Sequence, residues 1–382
     1  MHLDRFFAPC PRGLEAVLSD ELVALGAQDV APTDGGVGFS GSFDTMMTVN
    51  LHSRIASRVL WRVGGGRYRD ERDLYQLARQ VDWPQYFDVS RTIKVKTDAV
   101  KSPVKSIDFV SLTIKDAVCD VFRERGGERP SVDTHTPDMR IHVFLSGSDA
   151  ALYLDTSGEP LFKRGWRIAT GDAPLRENLA AGILRLTGWT PDVPLLDPMC
   201  GSGTFLVEAA MIALDWAPGA CRHFAFEKLS GFRPAAWQQI TDAAIAREKQ
   251  ARPLPLFGID RDPAALAAAR QNLAHIQLDD CITLSDGDFL DSHAPAAGGV
   301  IVSNPPYGVR LDEMDRLALL YPQLGHWLKR EMAGWTAYLL TADLRLAKMI
   351  RLSPSRRTPL RNGALDCRLF EFRMISGSNR PA

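Results

Sequence analysis

Apolar residues recur at spacings of three and four between Gly13 and Leu25, where Leu14, Val17, Leu18, Leu22 and Leu25 share one helical face and Gly26 follows as a stop. The turn cluster Asp34 to Gly38 separates this helix from a second helix-like run, Phe43 to Leu51, so residues 1–60 read as a small α+β unit. The period then changes. Thr92 to Lys96 and Arg140 to Leu145 alternate apolar and polar and flank a helical stretch, Ser106 to Arg125, predicting a sheet with one wet face over 61–160. Beyond residue 190 the strand-like runs Pro194–Asp197, Pro255–Asp260, Gly299–Asn304 and Thr336–Leu340 are richer in apolar residues and separated by helical segments. That is the pattern of a doubly wound α/β sheet covered on both faces. Asn362-Gly363 between two strand-like segments predicts a closing antiparallel hairpin with a type I′ turn. The connection between the first two sheet strands is long, and Arg233 to Gln250 reads as an extra helix elaborating that sheet.

The 382 residues suffice for two or three domains, and 45% hydrophobic with 24% charged residues excludes disordered, collagen-like and coiled-coil chains. Forty-five basic residues against 46 acidic leave a net charge of −1, which excludes binding to nucleic acid by bulk attraction but not through a local basic surface. No run reaches the ~18 apolar residues of a membrane span, and the start is broken by charge and proline, so a cytoplasmic protein with no membrane partner is expected. The six cysteines are scattered, without zinc-ligand spacing, which predicts neither a disulfide nor a metal site. The oligomeric state stays open between a monomer and a weak homodimer.

Candidate chemistry concentrates in the second half. Leu195-Leu-Asp-Pro-Met-Cys-Gly-Ser-Gly-Thr is an apolar strand, a glycine turn and a helix start in succession. Gly201 and Gly203 let the backbone approach a ligand, and the helix from Thr204 offers free N–H groups. The third glycine of a dinucleotide fingerprint is missing, which disfavours a pyrophosphate; a tight turn without ligand is the alternative. Asp260 ends the next strand, where such folds place a carboxylate on ribose hydroxyls. Asp288, with Asp286 as competitor, follows a short strand and could accept from an adenine amine while Phe289 packs on the ring. At the end of the third apolar strand stands Ser303-Asn-Pro-Pro-Tyr-Gly308. Two prolines fix φ and donate no N–H, leaving rigid outward acceptors. The Asn304 side-chain oxygen and the Pro305 carbonyl suit the two hydrogens of an exocyclic amine, Pro306 stiffens the segment, and Tyr307 can stack on the base.

These motifs resemble the class I S-adenosylmethionine-dependent methyltransferases that methylate amines. Together with Leu161-Phe-Lys-Arg-Gly-Trp-Arg and Ala173-Pro-Leu-Arg-Glu-Asn-Leu-Ala-Ala, the chain is similar over essentially its whole length to the bacterial 23S ribosomal RNA guanine-N2 methyltransferases with an N-terminal THUMP module, the RlmL type. The resemblance implies a ferredoxin-like unit at 1–60, a THUMP RNA-binding domain at 61–160 and a Rossmann-like methyltransferase domain at 161–382. It implies that Asp197, Pro198, Cys200, Gly201, Ser202, Gly203 and Thr204 hold the methionine part of S-adenosylmethionine, Asp260 the ribose, and Asp288 with Phe289 the adenine. Asn304, Pro305, Pro306 and Tyr307 would hold the target guanine. Ala173 to Ala181 would form a helix over the methionine end with Arg176 near its carboxylate, while Cys200, lacking a neighbouring base, is no nucleophile. Some relatives fuse this unit to a second methyltransferase; the chain stops soon after the hairpin, so a second activity is expected to be absent.

An RNA partner, 23S ribosomal RNA or a large-subunit precursor, requires local charge. Between His52 and Lys105 twelve basic residues face six acidic, and from Leu344 onward nine face two. Lys94, Lys96, Lys105 and Arg140 are candidate contacts in the THUMP-like part. Lys163, Arg164 and Arg167 are candidates at the junction, where both modules could meet a phosphate backbone. A transfer RNA guanine-N2 enzyme with the same modules, a DNA adenine-N6 enzyme and a non-catalytic RNA-binding assembly factor are the competing readings.

Overall fold

The computed structural model describes residues 3–170, 175–306 and 311–375, with 311–318 as helix backbone. The chain forms two compact units, one built from the residues up to Cys10, Leu18–Leu161 and Arg222–Ala243, the other from Pro11–Val17, Phe162–Cys221 and the chain from Ala244 on.

In chain order the first part contains β1 (Asp4–Pro9), α1 (Glu15–Ala24), β2 (Gln28–Thr33), β3 (Gly36–Gly41), α2 (Phe43–His52), β4 (Leu60–Arg67), α3 (Glu71–Arg79), α4 (Trp83–Tyr86), β5 (Ile93–Val100), α5 (Ile107–Gly126), β6 (Met139–Ser146) and β7 (Asp149–Asp155). One seven-stranded sheet, ordered β2-β3-β1-β4-β7-β6-β5, unites them. The alternation seen in β6 places Met139, Ile141, Val143 and Leu145 in the core and Arg140, His142, Phe144 and Ser146 on the other face. Ser42 starts α2 by accepting from Thr45 N–H while the Thr45 side chain accepts from Ser42 N–H, a reciprocal cap of two otherwise orphaned donors.

The second unit contains α6 (Glu177–Thr187), β8 (Leu195–Asp197), α7 (Thr204–Ala213), β9 (Leu256–Asp260), α9 (Pro263–His275), β10 (Thr283–Asp286), β11 (Gly299–Ser303), α10 (Leu311–Glu331), β12 (Trp335–Thr341), α11 (Leu346–Met349), β13 (Arg356–Asn362) and β14 (Leu365–Arg373), with α8 (Pro234–Ile245) arising between β8 and β9. Its sheet order is β10-β9-β8-β11-β12-β14-β13. The first five strands are mutually parallel, and the β13–β14 hairpin closes the edge antiparallel as expected, but its turn is not the type I′ turn on Asn362-Gly363: Asn362 is the last residue of β13, paired with Leu365, and the turn is Gly363-Ala364 with positive φ at Gly363 alone. Strand order reverses between β8 and β11, and a crevice for ligands opens at the carboxyl ends of strands at such a switch point.

The long connection between β8 and β9 departs from expectation: instead of elaborating the second sheet, its 222–243 portion folds with the first unit. Long-range polar partners, invisible to local pattern, decide this. The Arg222 guanidinium donates to the carbonyls of Ser157, Glu159 and Pro160, Phe226 N–H to Thr156 and Ser230 N–H to Tyr86. Lys228 pairs with Asp138 at 2.6 Å, and Phe224, Phe226, Phe232 and Trp237 form one aromatic cluster. Among the described residues no helix is long and apolar enough to cross a membrane, and no group of His, Cys, Asp and Glu is arranged to hold a metal ion.

Candidate active site

The short strand β8 delivers Asp197 into the interior, 2% exposed, where its carboxylate accepts from Met199 N–H at 3.3 Å. The turn that follows is set by its glycines: Gly201 (φ 54°) and Gly203 (φ 84°) both lie in the left-handed region, and nothing stands within 4 Å of where a Gly201 Cβ would be. Cys200 N–H donates to the Ile259 carbonyl at 3.0 Å and Gly201 N–H to the Asp260 carboxylate at 2.8 Å, which ties the turn to the end of β9. α7 begins with no side-chain cap, so its first N–H groups remain open to a ligand. Burial, reinforced by Asp197 and Asp260, pushes the Cys200 thiol well above its ordinary pKa, so it stays a neutral packing group.

Loss of hydration, with Asp260 adding to it, pushes Asp197 from 3.8 up to about 7; Met199 N–H and the Ser303 hydroxyl offset this only in part. The folded protein therefore retains a proton that the unfolded chain releases, and stability falls as pH rises from about 4 to about 7, then levels. Asp197→Asn is expected to abolish that slope in thermal melts taken below, within and above the window; identical slopes for both proteins would refute the assignment.

Asp286 and Asp288 line a cavity of about 310 Å³ together with Phe257, Gly258 and Ser285; the glycine turn and Asp260 lie outside its wall. Asp260 and Asp286 are neighbours in strand register. Asp288 also accepts from Leu290 N–H and lies 3.6 Å from Arg261. Phe289 is corrected by the structure: it is 4% exposed with its ring edge-on to Trp327 at 5.1 Å, so it serves the core instead of offering a face to a base.

At the end of β11 Asn304 is half-buried, and its Oδ1 is a buried acceptor with no hydrogen-bond partner among the described residues. Pro305 is buried and Pro306 exposed. The fully buried Tyr321 of α10 donates its hydroxyl to the Pro306 carbonyl at 3.0 Å, pinning the diproline from behind. Tyr307, Ala173 and Pro174 lie outside the described residues.

Two of the proposed RNA contacts turn inward. The Arg164 side chain is 1% exposed and pairs with fully buried Glu208 at 3.3 Å. Arg167 is 13% exposed and donates to Glu177, Ser202, Thr204 and the Leu175 carbonyl, so it grips the glycine turn. Both are corrections: a guanidinium beside a buried carboxylate, here Glu208 of α7 and Glu177 of α6, gains more from desolvated, charge-assisted hydrogen bonds than from solvent. Asn272 of α9, which no motif singles out, completes the clamp by accepting from Ile168 and Ala169 N–H and donating to the Ser202 carbonyl at 3.2 Å. Arg176 sits at the start of α6 with its guanidinium over the Phe162 ring. Lys163 and Lys105 are exposed. Lys94 lies opposite Arg140 in the β5–β6 register, Lys96 next along, on one sheet face.

Comparison with known families places three matches along the chain: an RlmL ferredoxin-like domain at residues 5–60, a THUMP domain at 68–155 and an RMKL-like methyltransferase domain at 164–371. A Synechocystis sp. protein assigned as an RNA methyltransferase is 37% identical over 97% of this chain and 96% of its own. The ribosomal RNA large subunit methyltransferase K/L of Syntrophotalea carbinolica is 41% identical over 96% of this chain, which spans 53% of that relative's length. A structure of a methyltransferase complexed with SAH superposes with a TM-score of 0.90 at 31% identity, covering 99% of this chain and 100% of that one.

Proposed function

The chain belongs to the RMKL-like methyltransferase family, with THUMP and RlmL ferredoxin-like modules preceding the catalytic domain, and we propose that it methylates the exocyclic N2 amine of a guanine in 23S ribosomal RNA, using S-adenosylmethionine. The observation that carries this reading is the buried Asn304 Oδ1 at the strand-order switch, which has no partner among the described residues and stands beside a diproline that Tyr321 pins. A buried acceptor without a donor is unfavourable by about 1–3 kcal/mol, and an N–H-bearing substrate relieves it.

The donor set fits the cofactor. Asp197, Asp260, Asp286 and Asp288 are acceptors grouped at the ends of neighbouring strands, which suits a cationic, hydroxyl-bearing ligand and disfavours a phosphate. S-adenosylmethionine, when bound, supplies a methyl group already activated for transfer. In this reading Asp197 and the 198–204 turn hold its methionine part, Asp260 its ribose and Asp288 its adenine. Asn304 and the Pro305 carbonyl orient the guanine amine and draw on its two hydrogens, which leaves the nitrogen lone pair directed outward. Orientation does most of the catalytic work, and no strong general base is needed. The guanine must leave its stack to reach Asn304, at a few kcal/mol.

Arg167→Ala is expected to raise the dissociation constant for S-adenosylmethionine about tenfold, one lost charge-assisted contact set at about 1.4 kcal/mol, while leaving affinity for RNA unchanged; calorimetric titration measures both, and the reverse outcome would return Arg167 to the RNA interface. The function itself is tested by methyl transfer from labelled S-adenosylmethionine onto separated ribosomal RNA, transfer RNA and DNA, followed by nucleoside analysis. Label in N2-methylguanosine of 23S RNA is expected. Label confined to transfer RNA, to an adenine or to protein overturns the reading.

A further inference from the structure

The diproline of the candidate site is held at one point that the prolines themselves do not fix. Each proline locks its own φ at about −65° and biases the residue before it toward extended ψ. Asn304 and Pro305 each precede a proline, so covalent chemistry sets the direction of both their carbonyls. Pro306 precedes a tyrosine, and its ψ is the torsion that proline chemistry leaves unrestricted. That torsion aims the Pro306 carbonyl, which is the group that receives the Tyr321 hydroxyl at 3.0 Å.

The mount of this hydroxyl is rigid. Tyr321 lies on α10, fully buried in a cluster with Leu320, Leu324, Trp327, Leu328 and Trp335. Phenylalanine would fill the same space, and a buried phenol is favourable only where its O–H finds an acceptor. The two tryptophans obey the same rule: Trp327 Nε1 donates to the Ser292 carbonyl and Trp335 Nε1 to the Ala296 carbonyl, both at 3.1 Å. One helix thus holds Ser292, in the wall of the cavity assigned to adenine, and Pro306, next to the acceptors assigned to the amine. At its other end the diproline segment is tied to the sheet through Ser303, in register with Leu339 of β12. Asn304 and Pro305 therefore stand between two fixed points, the β11–β12 ladder and the Tyr321 hydroxyl. Releasing the second lets the segment pivot about the first, and displacing reacting atoms by about 1 Å slows a reaction on the order of a hundredfold.

We propose that Tyr321 is a positioning residue for methyl transfer, its hydroxyl fixing the Pro306 carbonyl and with it the acceptors that orient the substrate amine. The inference rests on the reading given under Proposed function and deepens it, adding a residue that acts on the amine through the backbone.

Tyr321→Phe removes one oxygen and keeps the ring, and because Pro306 is exposed, water replaces the lost donor without restoring its direction. In the full chain, single-turnover methyl transfer from labelled S-adenosylmethionine to unmodified 23S ribosomal RNA is expected to slow by about tenfold to a hundredfold. Affinities for S-adenosylmethionine and for the RNA should stay within about twofold of the parent, since the lost interaction serves the reacting geometry alone. Hydrogen exchange of the protein without substrate is expected to show protection lost over residues 301–310 and kept along α10 beyond Tyr321. Leu324→Ala, one turn further along α10 and equally buried, is the structural control. It leaves a cavity and lowers the melting temperature, but keeps the parent rate wherever it is folded. A Tyr321→Phe rate within about twofold of the parent, an equal rate loss in folded Leu324→Ala, or unaltered exchange over 301–310 overturns the proposal. If the parent proves to methylate another nucleic acid or a protein, the same comparison on that substrate still decides for or against Tyr321, and the function reading falls alone. If 23S guanine is methylated and Tyr321→Phe keeps the rate, the positioning role falls alone.

Discussion

Asn304→Ala is expected to lower single-turnover methyl transfer by about two to three orders of magnitude, the usual loss when one preorganised polar group is removed from a reacting centre. S-adenosylmethionine affinity should stay within about twofold, because Asn304 lies at the end of β11 while the acceptors assigned to the cofactor end β8, β9 and β10. Asn304→Asp keeps an acceptor oxygen in place and should retain more activity than the alanine variant. Alanine also removes an Oδ1 that is buried with no donor among the described residues, so the variant is expected to be at least as stable as the parent. A stability gain with activity lost is the signature of a group kept for chemistry. Undiminished turnover, or activity lost together with cofactor affinity, would remove Asn304 from its assigned place.

The second large effect falls on folding. Arg164→Ala strands the Glu208 carboxylate at 0% exposure without its cation, and breaking a buried pair by deleting one partner typically destabilises by about 3–5 kcal/mol. Urea unfolding should show the loss, and replacing both residues together, Arg164→Met with Glu208→Leu, should recover much of it, since a buried pair is worth little over well-packed apolar groups. Salt dependence of RNA binding, measured where the variant remains folded, should not change. Parent-like stability with a reduced salt slope would restore Arg164 to the RNA surface.

That reversal shows where sequence reading works and where it stops. The glycine turn, the strand ending at Asp260, the diproline and the closing hairpin are legible because each depends on a few adjacent residues, positive φ at Gly201 and Gly203 and fixed φ at Pro305 and Pro306, whereas the hairpin's turn falls one residue later than the Asn362-Gly363 pair suggests. Charge alone does not say which way a side chain points. Arg164 and Arg167 have the same composition signal as exposed Lys163, and only the positions of Glu208, Glu177 and Ser202, up to 44 residues away, turn them inward. Asn272 and Tyr321 carry no motif because their partners, Ser202 and Pro306, are brought to them by tertiary packing. Phe289 follows Asp288 in sequence and so resembles a platform for a base, but Trp327 claims its ring.

The segment 222–243 has a consequence for how the protein is made. The first unit lacks its Phe226 and Trp237 cluster and the Arg222 and Lys228 clasps until that segment has left the ribosome. By then β8 and α7 of the second unit have already been synthesised. Folding in order of synthesis, the common course for long chains, can therefore complete the native packing of the amino-terminal unit only after residues 222–243, encoded inside its successor, have emerged. A truncation near residue 160 would end the chain before it could finish its own first half.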